Sequence, residues 1–318
     1  MMTYKAAIIG CGNIARSHSS GYKAAGAEVI AVTDVYEEPA NTLASELGAK
    51  VYRDFKALID QAKPDVVSIC TPPAFHEQAA VYALEAGVNV LCEKPMAHSV
   101  KSAQAIKNAA DASKGLFMPA FRHRFIPANI KLKEMIAEGK IGDVVVFNNA
   151  FGGPMFNMEG KWFTKKDIAG GGCLLDTSSH SVDLFRFMIG EIKSQNGAIT
   201  RHFKSTDVED AGMICVSTQN GAMGNIQSGF VLGDWVANIE IYGTKGHLIF
   251  DYNTGPNVKY RATGESEWTT IELSPSTGFN EEIEHFLGAI GGKHPLAITA
   301  YDGLRCAEVI FSVYGQNS

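Results

Sequence analysis

The chain has 318 residues, 46% hydrophobic and 19% charged, with a formal net charge of −6. That length holds one large or two ordinary domains with a substantial core, and the composition excludes a disordered chain. The acidic balance gives no electrostatic footing for nucleic acid, and no apolar run reaches the roughly 18 residues of a membrane span.

The N-terminus enters a strand almost at once, without the basic and apolar regions of a signal peptide, so a cytoplasmic location is expected. Residues 5–10 (KAAIIG) predict a short apolar strand and residues 13–25 a helix. Residues 28–34 (EVIAVTD) predict a second strand, and residues 39–47 a helix with Pro39 near its start, where proline is tolerated. Residues 66–70 (VVSIC), 89–92 (NVLC) and 116–120 (LFMPA) are further apolar runs, each after a helical pattern. Short apolar strands between amphipathic helices imply a parallel sheet covered on both faces, an α/β Rossmann domain.

Beyond residue 122 the pattern changes. A helix over 127–138 leads to a strand over 143–151, then to a loop rich in glycine and proline that carries Trp162 and Phe163. The stretch GGGCLLDTSSHSVDLF, residues 170–185, reads as three glycines and a helix, with Asp176, His180 and Asp183 in register along one face. From 194 to 273 the chain is strand-rich, with Asn220-Gly221 and residues 243–246 as hairpin turns. Helices are expected near 280–290 and 300–314. The organisation predicted is a cofactor domain over 1–122 and, over 123–318, a substrate-binding and oligomerisation domain of α+β type with an open, mostly antiparallel sheet. The C-terminal helix is available to pack back on the first domain.

The six cysteines (11, 70, 92, 173, 215 and 306) show neither CxxC nor zinc-ligand spacing, so buried free thiols are expected and no metal site is proposed. Gly10-Cys11-Gly12-Asn13-Ile14-Ala15 fits the dinucleotide fingerprint where a strand ends and a helix opens. Gly10 permits the turn, Gly12 lets the backbone approach a pyrophosphate, and the helix N-terminus at Asn13 and Ile14 offers N–H groups. Asp34 ends the second strand, where it accepts from ribose hydroxyls and repels a 2′-phosphate; NAD is therefore expected over NADP. Thr71-Pro72-Pro73 and Glu93-Lys94-Pro95 follow later strands at the edge where open α/β sheets bind ligands. Thr71, Pro72, His76, Glu93 and Lys94 are accordingly placed beside the cofactor, His76 with local contacts of its own. The Lys94–Pro95 bond admits the cis form. Taken alone, Lys94 reads equally well as a solvated turn residue.

These stretches, with AAIIGCGNIARSHSSGY, CTPPAFHEQAAVYALEAGVNVLCEKPMAHS and the glycine-led helix in this order, resemble the Gfo/Idh/MocA oxidoreductases over nearly the whole chain. The resemblance implies a Rossmann domain plus a domain with an open sheet, and a catalytic Lys94 with Asp176 and His180 completing the site. It also suggests Arg122 and Arg124 at the floor of the substrate site, with Trp162 and Phe163 as a sugar-facing wall. Ser178 stands where the family pattern usually has glycine, so it is expected at the substrate. The reaction expected is oxidation of a secondary hydroxyl on a sugar, sugar derivative or cyclitol, or reduction of the ketone, with hydride exchanged at nicotinamide C4. His180 acts as acid/base, since imidazole titrates near neutrality, Lys94 polarises the reacting oxygen, and Asp176 orients. Asp183 is assigned to structure. Two alternatives stay open: a glycoside hydrolase or lyase that oxidises its substrate transiently, and a non-catalytic sugar or NAD sensor. A sheet face with no covering helix suggests a homodimer or homotetramer.

Overall fold

The computed structural model describes residues 3–203 and 205–317. The chain divides into two compact units, Met1–Arg122 with Phe279–Ala307, and His123–Gly278 with Glu308–Ser318.

In the first unit, strands and helices alternate: β1 (Lys5–Ile9), α1 (Asn13–Ala24), β2 (Glu28–Thr33), α2 (Glu37–Leu47), β3 (Lys50–Val51), α3 (Phe55–Ala62), β4 (Val66–Ile69), α4 (His76–Glu85), β5 (Asn89–Cys92), α5 (Val100–Ala112) and β6 (Phe117–Pro119). All pairings are parallel, in the order β3-β2-β1-β4-β5-β6. Ala6, Ala7, Ile8, Val66, Val67, Val90 and Leu91 are fully buried, as strands covered on both faces require. Local chemistry fixes the ends of helices: Asp54 Oδ1 accepts from Ala57 N at 2.7 Å to start α3, and Gly48 ends α2 in the left-handed region. The strand order reverses between β1 and β4, which opens a crevice at their C-terminal ends.

The second unit holds α6 (Pro127–Ala137), β7 (Val144–Pro154), α7 (Lys166–Ala169), α8 (Cys173–Asp176), α9 (Ser178–Met188), and then β8 (Ile192–Thr200), β9 (Ala211–Thr218), β10 (Met223–Gly229), β11 (Val231–Gly243), β12 (Gly246–Asp251), β13 (Val258–Ala262) and β14 (Thr269–Ile271). They form a sheet in the order β14-β13-β12-β11-β7-β10-β9-β8, antiparallel except where β7 meets β10. Gly221, at φ +93°, makes the turn between β9 and β10. One face buries Phe147, Ile214, Ile226, Ile239 and Ile241, with α8 and α9 against β7, β9 and β10. Met213, Met223 and Tyr242 are exposed, as the alternation of a half-covered antiparallel sheet predicts.

Two expectations change here. The second domain is not one continuous stretch: α10 (Phe279–Ile290) packs on α1, burying Ile283 and Phe286, so residues 279–307 belong to the first unit. The final helix α11 (Ala300–Gln316) then contributes its last residues to the second unit, where Ser312 Oγ accepts from Gln195 Nε2 at 2.9 Å. The cysteines are all free, but Cys215 is exposed, because it occupies an outward position of β9 between Ile214 and Val216.

Candidate active site

The crevice of the first unit is shaped by its glycines. Gly10 sits at φ +93°, and a Cβ there would lie 2.8 Å from the Cys70 carbonyl carbon and from Thr71 N. Both the turn and the neighbouring strand therefore demand glycine. Gly12 differs: a Cβ there would meet no heavy atom within 4 Å, so the space beside it is open to a ligand. Helix α1 starts at Gly12 with no side-chain cap, which leaves the N–H groups of its first turn for an anion. Asn13 is exposed and Ile14 half-buried at that turn, and Ala15 is buried against the sheet. Half-buried Asp34 accepts from Cys11 N at 2.6 Å and from Tyr36 N at 2.9 Å, which fixes its carboxylate beside the glycine loop. Thr71 Oγ1 is buried without a hydrogen-bond partner among the described residues, an unspent polar group at the same edge. These features fit a dinucleotide.

His76 and Glu93 turn inward. His76 is buried, with Nε2 2.6 Å from Thr71 O and Nδ1 3.3 Å from Met96 O, and burial lowers its pKa. The neutral ring ties the loop after β4 to the loop after β5, so it supports the crevice rather than lining it. Glu93 Oε1 contacts His18 Nε2 at 2.9 Å, and Oε2 accepts from Lys94 N at 3.0 Å. Burial opposes ionisation of Glu93, but the bond to His18 and the charges of His18 and Lys94 outweigh it and lower its pKa. For His18, burial opposes the charge, while Cys70 and then Glu93 raise its pKa to about 10. Lys94 itself is half-buried, and the Lys94–Pro95 bond is cis.

In the second unit, the glycine-led helix is two pieces, α8 and α9, with Thr177 between them. The glycines serve packing. A Cβ on Gly171 would collide with the Tyr314 hydroxyl and one on Gly172 with the Glu209 carbonyl oxygen. At these two positions it is the protein's own packing that demands glycine. Buried Glu209 accepts from Gly172 N at 2.9 Å, Leu174 N at 3.0 Å and the Tyr314 hydroxyl at 2.8 Å, and so ties α8 to α11.

Asp176 is half-buried at the end of α8. The His180 ring stacks on His123, centroids 4.1 Å apart and planes at 29°. His123 Nδ1 lies 3.1 Å from the Tyr252 hydroxyl, Asn129 Nδ2 donates to that hydroxyl at 2.8 Å, and Phe151 meets His123 edge-on. His123, Asn129, Phe151 and Tyr252 were not among the expected site residues. The histidine set between two arginines in AFRHRFIP was the available signal for His123; nothing local marks Tyr252.

Other expectations shift. Arg124 does not read as a substrate floor, because its guanidinium binds Asp183 through Nε (2.8 Å) and Nη2 (2.5 Å), both side chains nearly buried. Asp183 was assigned to structure, and this pair is what it makes. Ser178 is fully buried and donates to Ser228 Oγ at 3.0 Å, so its hydroxyl is spent on the sheet, not on a ligand. Half-buried Arg122 lies over the Phe279 ring at 4.7 Å, and exposed Trp162 packs edge-on against Phe163.

Residues 4–121 match the profile of the oxidoreductase family with an NAD-binding Rossmann fold, and residues 129–249 match the GFO/IDH/MocA C-terminal domain. The chain is 28% identical to levoglucosan dehydrogenase of Pseudarthrobacter phenanthrenivorans, covering 97% of this chain and 95% of that protein. It is 28% identical to D-glucoside 3-dehydrogenase of Escherichia coli, covering 98% and 94%. A levoglucosan dehydrogenase structure in complex with NADH and levoglucosan shares the fold with a TM-score of 0.92 at 24% identity, over 100% of this chain and 98% of that one. With both domain profiles matched in order on this fold, the chain belongs to the GFO/IDH/MocA family of NAD-binding oxidoreductases.

Proposed function

We propose that this protein is an NAD-dependent dehydrogenase that oxidises a secondary hydroxyl of a sugar, sugar derivative or cyclitol, or reduces the corresponding ketone. The observation that carries the reading is the ligand edge of the first unit, where the open Gly12 turn and Lys94 both lie at the C-terminal ends of parallel strands. The relatives named for levoglucosan, D-glucosides and inositol support the substrate class. The first turn of α1 holds a pyrophosphate, and Asp34 accepts from a ribose hydroxyl. Bound NAD supplies the hydride acceptor. Lys94 donates to the reacting oxygen and stabilises its developing negative charge. His180 takes the hydroxyl proton, with its ring plane held by the stack on His123, and Asp176 orients the substrate or the imidazole. The same reading makes the protein a cytoplasmic homodimer or homotetramer joined over the outer sheet face. Among the described residues, no helix is long and apolar enough to cross a membrane.

A screen for NAD reduction with aldoses, anhydrosugars, inositols, sugar acids and nucleotide sugars, with NADP run in parallel, tests the proposal. Accumulation of NADH with at least one class is expected. Release of an aglycone from a glycoside with no net NADH would replace it with the hydrolase reading.

A further inference from the structure

Behind Lys94 lies a chain of buried polar groups that binding and proton transfer leave unexplained. Both oxygens of the Glu93 carboxylate are engaged, one by His18 Nε2 and one by the N–H of Lys94. His18 is fully buried, and its Nδ1 lies 2.9 Å from Ser68 Oγ, which also bonds the Tyr22 hydroxyl at 2.8 Å. His18 and Tyr22 are one turn apart on α1, the helix whose first turn borders the open space at Gly12. Packing alone does not call for this arrangement, since apolar residues of similar size hold a buried position as well as an ion pair does. Around the pair stand Tyr22 of α1, Cys70 after β4, Cys92 of β5 and His76 of α4. Burial raises Tyr22 and Cys92 and lowers His76, while Cys70, itself raised by burial, interacts with His18, and Glu282 of α10 adds a buried carboxylate that raises Tyr22 further. Among these groups, the His18–Glu93 contact is the one that reaches the Lys94 backbone, through Glu93 Oε2 and Lys94 N.

We propose that His18 is a positioning residue for Lys94: acting through Glu93, it fixes the backbone just after β5 from which the lysine side chain departs. The inference rests on the reading of Lys94 as the group that polarises the reacting oxygen. It links the cofactor-side helix α1 to the lysine inside a single unit.

The test uses Glu93→Gln, His18→Phe and His18→Gln, the last of which keeps an N–H donor for Glu93. Competitive acetylation of Lys94 across a pH series, read by mass spectrometry on the protein without cofactor, follows the lysine independently of turnover. NAD reduction with levoglucosan and with myo-inositol gives kcat and KM. In Glu93→Gln the acetylation midpoint of Lys94 is expected to move, because the carboxylate that holds its backbone N–H is replaced by a neutral amide. In the same variant kcat is expected to fall about tenfold or more, with KM for NAD within about twofold. His18→Phe displaces the midpoint and lowers kcat, and His18→Gln restores most of both. Wild-type midpoints in Glu93→Gln and His18→Phe would overturn the proposal, as would a lower kcat with an unmoved midpoint. If His18→Phe does not fold, the midpoints and kcat of Glu93→Gln and His18→Gln decide the matter. Lys94→Ala separates the two readings. If it retains turnover, the assignment of Lys94 fails and the proposal with it; if it is inactive while the other variants match wild type, the positioning role alone fails.

Discussion

Gly10 and Gly12 stand two residues apart in one motif, yet substitution should separate their roles. Gly10→Ala forces a side chain into a left-handed backbone position and against the Cys70–Thr71 peptide, so folding is expected to suffer. Gly12→Ala meets no protein atom within 4 Å, so its thermal midpoint should stay within about a degree or two while NAD affinity drops. Thermal unfolding paired with NADH fluorescence titration reads both, and equal loss of stability in the two variants would refute the distinction. The proposed catalytic residues obey the opposite logic. Lys94→Ala and His180→Ala should each cut turnover by about a hundredfold or more with NADH binding retained. Near-normal turnover in both would remove them from the mechanism. Asp183 belongs to neither class: Asp183→Asn withdraws the carboxylate charge from a buried guanidinium and should cost about 3 kcal/mol or more. The three tryptophans, 162, 235 and 268, all lie in the second unit, so urea unfolding followed by their fluorescence reports that loss.

At the level of elements, the segment from Gly170 to Met188 shows how far sequence reading reaches. Its helical content and its buried leucines follow from periodicity. The break at Thr177 does not, and neither do the partners: Gly171 faces Tyr314, Ser178 meets Ser228, and Asp183 meets Arg124. Periodicity reports which positions share a face, not what tertiary packing brings against that face. For the same reason the parallel sheet was legible from apolar runs between helices and the β9–β10 hairpin from Asn-Gly. The sequence also admits a helix near the C-terminus returning to the first domain, whereas α10 as the helix that packs on α1 was not legible. The glycine run gives the sharpest case, because three glycines fit close approach to a ligand or to protein equally well. Gly172→Ala should therefore destabilise the second unit by about 1–3 kcal/mol through collision with the Glu209 backbone. The same tryptophan fluorescence in urea measures it, and an unchanged unfolding midpoint would show that the backbone around Glu209 yields to a side chain at Gly172.

For the molecule as a whole, the buried His18–Glu93 pair ties stability to pH, and the sign follows from the two shifts. Against its burial, Cys70 and then Glu93 raise His18 from 6.5 to about 10 in the folded chain, so its contribution is complete below pH 6.5 and is lost as pH rises toward 10, and removal of Glu93 withdraws part of it. Glu93 is lowered from 4.5, so its contribution is complete above pH 4.5 and is lost as pH falls through the lower folded value. The stability difference between the wild type and Glu93→Gln should accordingly be widest between pH 4.5 and 6.5 and narrow on both sides. Tryptophan fluorescence cannot follow this, since the pair lies in the first unit and the tryptophans in the second. Hydrogen exchange of peptides covering β4 and β5 can, with both proteins compared at each pH so that intrinsic exchange rates cancel. A difference that stays constant from pH 4.5 to 10 would mean that the two groups do not form an ion pair in the folded chain. A difference that is wide from pH 4.5 to 6.5 and narrows toward pH 10 is the expected result, because the protonated His18 is the form that the folded chain favours.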